Sequence, residues 1–444
     1  MIDYIIRFFN VSEDQIESFE LIEVNSNFEA HIKLKKNNID CPFCGGPIIV
    51  HGYKKKRIRN DIFVESCDTI VWFARRYLCK DCGHTFMERN PFSLPNSQLS
   101  IATARRIMID LRNLHFTYTD IAERNHVSVT LVQLYMDSHV NIPRQSLPES
   151  IGIDEVYSSL GKIRNSSYIC TLVDNENRSL FEVLPSRAKN HLSRYFGNIP
   201  LSERKKVKYV TMDMWEPYKD IVNTYLPNAI VAVDPFHVVK HLYEAFNRIR
   251  LDIQGQVLYN SNTYYLLKHW NWLLMKNDIN LDNEAKYNHR FRRKLNHRNI
   301  FHMLLEINDS LAIGYRIKEE YLRFNREATY DNAEKWLNHI IEMIAYSEIP
   351  QFEKFLSLLN HWKPEIINSF LRPHEDRKLS NALCENMNGQ IQAFIIISKG
   401  LSNFARFRKR VLYALNDKIF YSLTEHLKSE KRKGKPRGSY SKIY

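Results

Sequence analysis

Two short cysteine motifs place the strongest constraint on how this chain folds. Cys41-Pro-Phe-Cys44-Gly and Cys79-Lys-Asp-Cys82-Gly are both CxxCG sequences. In each motif the glycine permits a tight turn whose backbone N–H groups face the sulfur atoms. Four thiolates complete the tetrahedral ligand set of a structural zinc ion. We therefore predict that these four cysteines bind Zn²⁺ within a zinc-ribbon domain at residues 1–98.

Alternatives to a zinc site fit the sequence less well. The chain has seven cysteines, an odd number with uneven spacing, which argues against a disulfide framework. A redox CxxC pair needs a βαβ context, whereas IVWFARRYL (70–78) alternates and predicts a strand between the motifs. His51 and His84 lie nearby, but four cysteines already complete the site. We expect the remaining thiols to be ordinary buried groups: Cys67, Cys170 and Cys384.

The chain carries a large excess of positive charge. Its 444 residues include 63 Lys and Arg against 50 Asp and Glu, a net charge of +13. This excess predicts an acidic partner, although charge alone does not separate DNA, RNA and a membrane surface. The mean hydropathy of -0.41 argues against a membrane-spanning protein. Asp3 and Arg7 interrupt the apolar N-terminus, so we expect no secretory signal and an intracellular protein.

A cluster of cations lies between the two cysteine motifs. HGYKKKRIRN (51–60) contains five of them: Lys54, Lys55, Lys56, Arg57 and Arg59. Phosphate contacts by such a cluster are favoured by counterion release. The alternative is a hairpin whose cations are simply solvated. Beside a zinc ribbon, the cluster favours nucleic acid over membrane as the acidic partner.

Residues 99–142 show a helical pattern typical of a helix-turn-helix. TDIAERN (119–125) and SVTLVQLYMD (128–137) are the two helical segments, and Ser128 is a suitable N-cap for the second. This second helix is expected to enter the major groove, with Thr130 and Gln133 facing base edges. Asn125 or His126 replaces the usual turn glycine. A plain helical hairpin with solvated polar residues is the alternative.

Strands and helices alternate after a linker that contains Pro143 and Pro148. The predicted order is three strands, a helix, a strand, a helix and a strand: 150–159, 167–175, 178–186, 188–197, 207–213, 215–226 and 229–234. This order predicts a mixed α/β sheet of the ribonuclease H-like kind, with helices on its faces. Asp154 lies on the first strand and Asp213 at the carboxyl end of the fourth. We expect these strands to be neighbours, at the edge where ligands bind such sheets.

The carboxylates in this region predict a metal-dependent active site. An aspartate inside an apolar strand such as IGID is costly to bury unless a cation compensates its charge. Glu385, in the predicted helix SNALCENMNGQIQAF (380–394), supplies a third carboxylate. We predict that Asp154, Asp213 and Glu385 form a catalytic DDE triad. It would hold two Mg²⁺ ions, or Mn²⁺ in their place, for phosphodiester chemistry.

Two further residues are candidates for auxiliary roles. Asp234 ends the fifth strand, and we expect either a direct or supporting role at the site or the N-cap of the next helix. His237 fits a structural residue or a DNA contact better than a catalytic base, because two-metal phosphoryl transfer needs no histidine base.

Taken together, the motifs resemble the ISL3 family of insertion-sequence transposases over nearly the full chain. The matching sequences are CPFCGG, RRYLCKDCGHTF, GIDE, VTMDMWEPY, VDPFHVVK and LSNALCENMNGQIQ. The resemblance implies a DNA transposase that binds terminal inverted repeats and catalyses metal-dependent cleavage and strand transfer. It also implies the same zinc ligands and DDE triad, and a bacterial protein of the cytoplasm and nucleoid. Because two DNA ends must meet, a homodimer or larger homo-oligomer is implied, with double-stranded DNA as partner and no membrane.

The predicted domains follow from these motifs. They are a zinc ribbon, a helix-turn-helix, a catalytic core in two parts, a helical insertion between those parts, and a basic flexible tail: 1–98, 99–142, 150–250 with 371–427, 251–370, and 428–444. Within the insertion, HRFRRKLNHR (289–298) is a candidate DNA-facing strip. The tail is expected to be a phosphate-binding arm.

The helix after Asn388 departs from the family pattern. Members commonly continue with Lys and Arg, whereas QIQAFIII (390–397) follows here, so phosphate contacts are missing. Cations in the next segment are expected to compensate: Arg406, Arg408, Lys409 and Arg410. The departure leaves a catalytically weakened or inactive DNA-binding remnant or regulator as an alternative. A sequence-specific nuclease without strand transfer is another.

Overall fold

The computed structural model describes residues 9, 11–61, 68–95, 97–158, 167–277, 279–373, 377–398 and 402–423. Cys67 and the basic tail 428–444, for which the sequence made predictions, lie outside the described residues. The chain divides into two units. Unit 1 comprises Met1–Arg144 together with Gln390–Tyr444, and unit 2 comprises Gln145–Gly389.

Unit 1 begins with a five-stranded sheet. Its strands are β1 (Ile16–Val24), β2 (Asn27–Leu34), β3 (Ile48–Arg59), β4 (Thr69–Cys79) and β5 (Thr85–Met87). They lie in the order β1-β2-β4-β3, with β5 also paired to β4. The strand predicted at 70–78 is confirmed within β4, where Trp72 and Ala74 are fully buried. Alternation along β4 places these apolar side chains on the core face.

Three helices follow in unit 1: α1 (Ile101–Asp110), α2 (Tyr118–Arg124) and α3 (Val129–His139). The two predicted helical segments are present as α2 and α3, which a short turn joins. Ser128 caps α3 by accepting a hydrogen bond from the backbone N–H of Leu131. The backbone of His126 is left-handed, with φ 47°. His126 therefore occupies the conformation for which glycine is usual, at a cost that the packing around the turn must offset.

A second five-stranded sheet forms the centre of unit 2. Its strands are β6 (Ser150–Tyr157), β7 (Tyr168–Asp174), β8 (Ser179–Leu184), β9 (Tyr209–Met212) and β10 (Ile230–Val233). Their order is β10-β9-β6-β7-β8. β7 runs antiparallel to both β6 and β8, whereas β9 runs parallel to both β6 and β10. All five predicted strands are confirmed, and so is the mixed α/β class.

The helices of unit 2 pack on this sheet and form a long insertion. They are α4 (Lys189–Gly197), α5 (Leu201–Arg204), α6 (Glu216–Tyr225), α7 (Pro235–Gln256), α8 (Asn262–His269), α9 (Trp272–Met275), α10 (His297–Leu305), α11 (Asp309–Glu327), α12 (Tyr330–Ser347), α13 (Glu353–His361) and α14 (Lys363–Asn368). A small hairpin of β11 (Lys286–Asn288) and β12 (Arg293–Leu295) precedes α10. One continuous hydrophobic core joins the sheet to the insertion.

The last two described helices are α15 (Ala382–Ile397) and α16 (Phe404–Leu415). The boundary between the units falls inside α15, after Gly389. Helix α16 belongs to unit 1, which differs from the predicted grouping of residues 371–427 with the catalytic core. Among the described helices, none is long and apolar enough to cross a membrane.

Candidate active site and cysteine cluster

The four cysteines of the CxxCG motifs come together beside the ends of β3 and β4. Their sulfur atoms lie within 4.8 Å of one another. The Sγ atoms of Cys41 and Cys82 are 3.7 Å apart, and those of Cys44 and Cys79 are 3.5 Å apart. Four sulfurs about 2.3 Å from a tetrahedral zinc ion lie roughly 3.7 Å from one another. The cluster therefore has the dimensions of a zinc ribbon.

The turns of the two motifs explain why each carries glycine. Gly45 and Gly83 both have left-handed backbones, with φ 73° and 68°. The N–H of Cys82 points to Sγ of Cys79 at 3.5 Å. This hydrogen bond lowers the pKa of Cys79 to about 7. The ring of His84 stacks on Phe43 and lies outside the four-cysteine group.

The strand register of unit 2 brings the predicted aspartates to one edge of the sheet. Ile153 of β6 pairs with Met212 of β9. The next residues along the chain, Asp154 and Asp213, are therefore neighbours. Val233 of β10 also pairs with Met212, which places Asp234 beside Asp213 on the other side. Parallel strands that end together thus supply neighbouring carboxylates, the arrangement that ligand sites on such sheets use.

Asp213, Asp234 and His237 form the tightest group at this edge. One ligand atom from each lies within 4.8 Å of the others, and Nε2 of His237 is 2.9 Å from Oδ1 of Asp213. Asp234 stands at the N-cap position of α7 but makes no side-chain cap hydrogen bond. Its Oδ1 instead accepts from the N–H of Asn381, and its buried Oδ2 has no hydrogen-bond partner. Asp234 therefore occupies the N-cap position without capping the helix through its side chain, and Oδ2 is available to a cation.

The other two predicted carboxylates border this group. Asp154 is 7% exposed, and its Oδ2 accepts a hydrogen bond of 2.8 Å from Nδ2 of Asn388. Glu385 lies one helical turn before Asn388 on α15, and its Oε1 is 4.0 Å from Nε2 of His237. The described structure thus gathers Asp213 with Asp234 and His237 more closely than with the predicted partners Asp154 and Glu385.

Two asparagines, Asn381 directly before α15 and Asn388 within it, hold the glutamate-bearing helix against the sheet. Asn381 donates to the carbonyl of Ile153 and accepts from the hydroxyl of Thr211. Asn388 accepts from the hydroxyl of Thr171 on β7. The sequence analysis did not assign the two threonines, although their position inside apolar strands was a usable signal. Buried hydroxyls need partners, and here the partners position Glu385.

A glycine in β6 makes this close approach possible. A Cβ at Gly152 would collide with Sγ of Cys384 in α15 and approach Asn381 directly before that helix. Cys384 and Cys170 are both fully buried, as expected for ordinary thiols. Gly152 therefore allows α15 to lie close to β6, and Asp154, two residues later on the same strand, supplies an acidic side chain at the site.

Burial and mutual repulsion make these carboxylates reluctant to ionise without a cation. Burial, together with the neighbouring Asp213 charge, raises the pKa of Asp154 to about 7. Burial also raises the pKa of Asp234 to about 6, and the charge of Glu385 adds to the effect. The hydrogen bond to Asp213 raises the pKa of His237. A divalent cation at this edge would reverse the balance by favouring the ionised carboxylates.

Comparison with known proteins identifies the family. A family model for ISL3 elements, described as "Transposase", matches residues 151–411, more than half of the chain. The chain belongs to the ISL3 transposase family. The matched range contains every carboxylate of the candidate site.

Individual relatives of this ISL3 family member agree with that assignment. The transposase for insertion sequence element IS1001 of Bordetella parapertussis is 24% identical over 359 residues, which cover 79% of this chain and 82% of the relative. The transposase for insertion sequence element IS1557 of Mycobacterium tuberculosis is 27% identical over 178 residues, or 40% of this chain and 35% of the relative.

Unfolding of this ISL3 family member is expected to depend on pH because of Asp154. The folded protein without Mg²⁺ binds the Asp154 proton more tightly than the unfolded chain, since its pKa is about 7 against 3.8. Stability should therefore fall as pH rises from about 4 to about 7, by on the order of 4 kcal/mol. Urea unfolding in Mg²⁺-free buffer, with zinc retained, at several pH values measures this change.

The matched variant for this test is Asp154→Asn. It should flatten part of the pH dependence and be more stable than wild type at pH values above about 7. Equal stability of wild type and variant throughout the range would contradict the raised pKa.

The predicted DNA contacts of the ribbon cluster lie on the surface. Lys54, Lys55, Arg57 and Arg59 are exposed, and Lys56 is half-buried. Arg57 forms an ion pair with Glu29, and Arg59 donates to the carbonyl of His126. In α3, Thr130 is exposed, whereas Gln133 is half-buried and accepts a hydrogen bond from Arg406.

The basic residues of α16 are placed differently from their prediction as phosphate contacts. Arg406 forms an ion pair with Asp137 of α3, and Lys409 donates to the carbonyl of Asp137. Arg408 is half-buried. Arg410 is fully buried and donates to the carbonyls of Asn113 and Phe116. We therefore do not retain Arg410 as a DNA contact, because its guanidinium holds the interior of unit 1 together.

Removing the Arg410 side chain is expected to destabilise unit 1. Arg410→Ala leaves a cavity beside Tyr118 and Phe394, over whose rings the guanidinium lies, and two carbonyls without donors. The expected loss is about 3 kcal/mol or more, measured by urea unfolding. Lys418→Ala at an exposed position is the control and should change stability by less than about 0.5 kcal/mol. A stable Arg410→Ala protein with a specific loss of DNA affinity would restore the original prediction.

Proposed function

We propose that this protein is a DDE transposase that binds the terminal inverted repeats of its insertion sequence and catalyses metal-dependent DNA cleavage and strand transfer. The single observation that carries the proposal is the group of four carboxylates at one edge of the unit 2 sheet: Asp154, Asp213, Asp234 and Glu385. The strand order β10-β9-β6-β7-β8 supports a ribonuclease H-like core, because it places the first strand between the fourth and the second.

The side chains at this edge suit a hard divalent cation. Carboxylate oxygens are the preferred ligands of Mg²⁺ and Mn²⁺. Asp234 has a buried oxygen without a hydrogen-bond partner, and Asp213 faces it. When bound, Mg²⁺ ions supply Lewis-acid activation of the attacking and leaving oxygens of a phosphodiester. Asp154, Asp213 and Glu385 are the proposed ligands, and Asp234 is added as a fourth.

The residues around the carboxylates orient them for this role. Asn388 fixes one oxygen of Asp154, while the N–H of Glu155 donates to the other at 2.7 Å. His237 holds Asp213 and approaches Glu385, so it can carry part of the positive charge while the site is empty of metal. Strand transfer uses a freed DNA 3′-hydroxyl in place of water, so the same arrangement serves cleavage and joining.

Unit 1 is the proposed end-binding module. A structural Zn²⁺ held by the four cysteines would fix the start of β3 to the end of β4. The exposed ribbon cations lie on β3. Helix α3 is the proposed recognition helix, with Thr130 as its exposed base-contacting residue. Since two ends must be cut and joined, we propose a homodimer or larger assembly on DNA. Its place of action is the DNA of the bacterial cytoplasm.

The departure after Asn388 has a structural explanation. Ile391 and Phe394 are buried, and Phe394 stacks on Phe407 of α16 inside unit 1. Packing therefore accounts for the apolar residues at these two positions, whereas Ile396 and Ile397 are exposed. The two packed positions support the active transposase over the inactive remnant, because their apolar character has a structural role.

The proposal is tested by incubating the purified protein with Mg²⁺ and duplex DNA that carries the ends of its own element. The expected products are 3′-hydroxyl cuts at the ends and joined strand-transfer products, both absent when Mg²⁺ is omitted. Binding of the ends without either product would favour the remnant. Cleavage without joining would favour the nuclease.

A further inference from the structure

The small hairpin of the insertion carries a concentrated and uncompensated positive charge. Its sequence KYNHRFRRKL (286–295) contains five cations and no acidic residue: Lys286, Arg290, Arg292, Arg293 and Lys294. Within the described part of the chain, none of the five forms an ion pair with a carboxylate. Other surface cations of unit 2 do pair with carboxylates, as Lys189 does with Asp220. Five like charges on one ribbon repel one another, and an anionic partner would stabilise this arrangement by offsetting the repulsion.

The hairpin is firmly attached to the insertion and presents its cations outward. Leu295 is buried in the core of unit 2, and Phe291 of the turn packs on Tyr265 of α8. Asn288 closes the turn by accepting hydrogen bonds from the N–H groups of Arg290 and Phe291. An anchored ribbon loses little conformational entropy when it binds, which makes it an effective docking element.

The outer face of the hairpin combines charge with an exposed aromatic ring. Tyr287 and Lys294 are cross-strand partners, and Tyr287 is 54% exposed. The ring of His289 lies against Tyr287 at 5.1 Å. The apolar side chains Phe291 and Leu295 point inward, so the tip offers no apolar group to a bilayer. Cations with a planar ring suit nucleic acid better than a lipid surface.

We propose that the hairpin Lys286–Leu295 binds the sugar–phosphate backbone of duplex DNA on which the active site works. A two-stranded ribbon fits the major groove, and its five cations match the phosphates that line it. This inference rests on the proposed transposase function and adds a DNA contact in unit 2 to those proposed for unit 1.

The backbone of Arg292 allows a clean test variant. Its φ is 50°, a left-handed conformation that asparagine tolerates better than arginine. The hairpin variant is Lys286→Gln, Arg292→Asn and Lys294→Gln. All three side chains are exposed, and among the described residues none of them makes a hydrogen bond or ion pair that supports folding. The matched control removes three exposed, carboxylate-paired cations from unit 2: Lys189→Gln, Lys208→Gln and Arg323→Gln.

Salt dependence of binding to a random-sequence duplex is the measurement. Each phosphate contact contributes about 0.9 to the slope of log affinity against log salt concentration, so losing three lowers the slope by about 2–3. The control variant should lower it by less than about 1, and both proteins should keep the wild-type thermal unfolding temperature. If the hairpin variant folds poorly, Lys294→Gln alone should still lower the slope by about 0.9.

Equal slope changes in the two variants would overturn the inference. An unchanged DNA slope with loss of binding to phosphatidylglycerol vesicles would also overturn it and assign the hairpin to a membrane. If the wild-type protein cuts and joins DNA but the hairpin variant has the same slope as wild type, the proposed role of the hairpin is contradicted and the transposase function is not. If the hairpin variant has the lower slope but the wild-type protein never cuts DNA, the transposase function is contradicted and the proposed role of the hairpin is not.

Discussion

Asp154→Asn is expected to lower Mg²⁺-dependent cleavage and joining by about 10³-fold while leaving the affinity for transposon ends unchanged. Metal activation is worth several kcal/mol at the transition state, and each 1.4 kcal/mol is a factor of ten in rate. The asparagine keeps the shape of the side chain, and its carbonyl can still accept from Nδ2 of Asn388. Single-turnover cleavage of labelled end DNA, with a parallel binding titration, measures both quantities.

The matched control for this variant is Asp174→Asn. Asp174 is a buried aspartate on the neighbouring strand β7, and it closes a turn by accepting from the N–H groups of Glu176 and Asn177 and from Nδ2 of Asn177. Its replacement should leave cleavage within a few fold of wild type. Similar losses in both variants would mean that cleavage responds to the general condition of the sheet, and the assignment of Asp154 would then fail.

Parallel variants decide which carboxylates hold the metal. The sequence predicts Asp154, Asp213 and Glu385, whereas the tightest group in the structure is Asp213, Asp234 and His237. If Glu385→Gln is inactive and His237→Gln retains most activity, the DDE triad holds. If His237→Gln and Asp234→Asn are inactive while Glu385→Gln cleaves normally, the Asp-Asp-His group is the metal site.

Cys79→Ser is expected to remove the bound zinc and abolish end binding. The Cys79 sulfur is buried and receives the N–H of Cys82, so it is placed to be a strong zinc ligand. Structural zinc binding contributes about 10 kcal/mol or more to the folding of small zinc modules, and losing one of four thiolates forfeits most of it. Zinc content by mass spectrometry, end binding and circular dichroism are the measurements. The α/β signal of unit 2 should persist.

His84→Gln is the control for the zinc prediction. His84 stacks on Phe43 beside the cluster without joining it. This variant should retain one zinc ion per chain and bind ends normally. Loss of zinc in His84→Gln, or full retention of zinc in Cys79→Ser, would show that the ligand set differs from the four cysteines.

Local sequence patterns were sufficient to predict most elements of the fold. The CxxCG spacing predicted a cysteine cluster because a knuckle is a local turn whose geometry depends on its own residues. Alternation predicted all five strands of the unit 2 sheet, since each strand shows its own buried face. Asp154 and Asp213 were found because a charged residue in or directly after an apolar strand is costly without a function.

Long-range packing explains what the sequence analysis missed. Asp234 had two possible roles, and the choice depends on where Asn381, 147 positions away, places its N–H. Arg410 looked like a surface cation among other cations, but helix α16 packs into unit 1 and buries it. No local pattern records which distant helix covers a residue.

The sequence by itself determined the cysteine cluster, the two helices of the predicted helix-turn-helix, the strand order along the chain and the family, because these depend on neighbours within a few residues or on whole motifs. Only the tertiary structure decided which carboxylates meet, which cations of the hairpin lack a carboxylate partner among the described residues and which cations are buried. Those outcomes depend on strand register and helix packing, where a displacement of one residue changes the face on which a side chain lies.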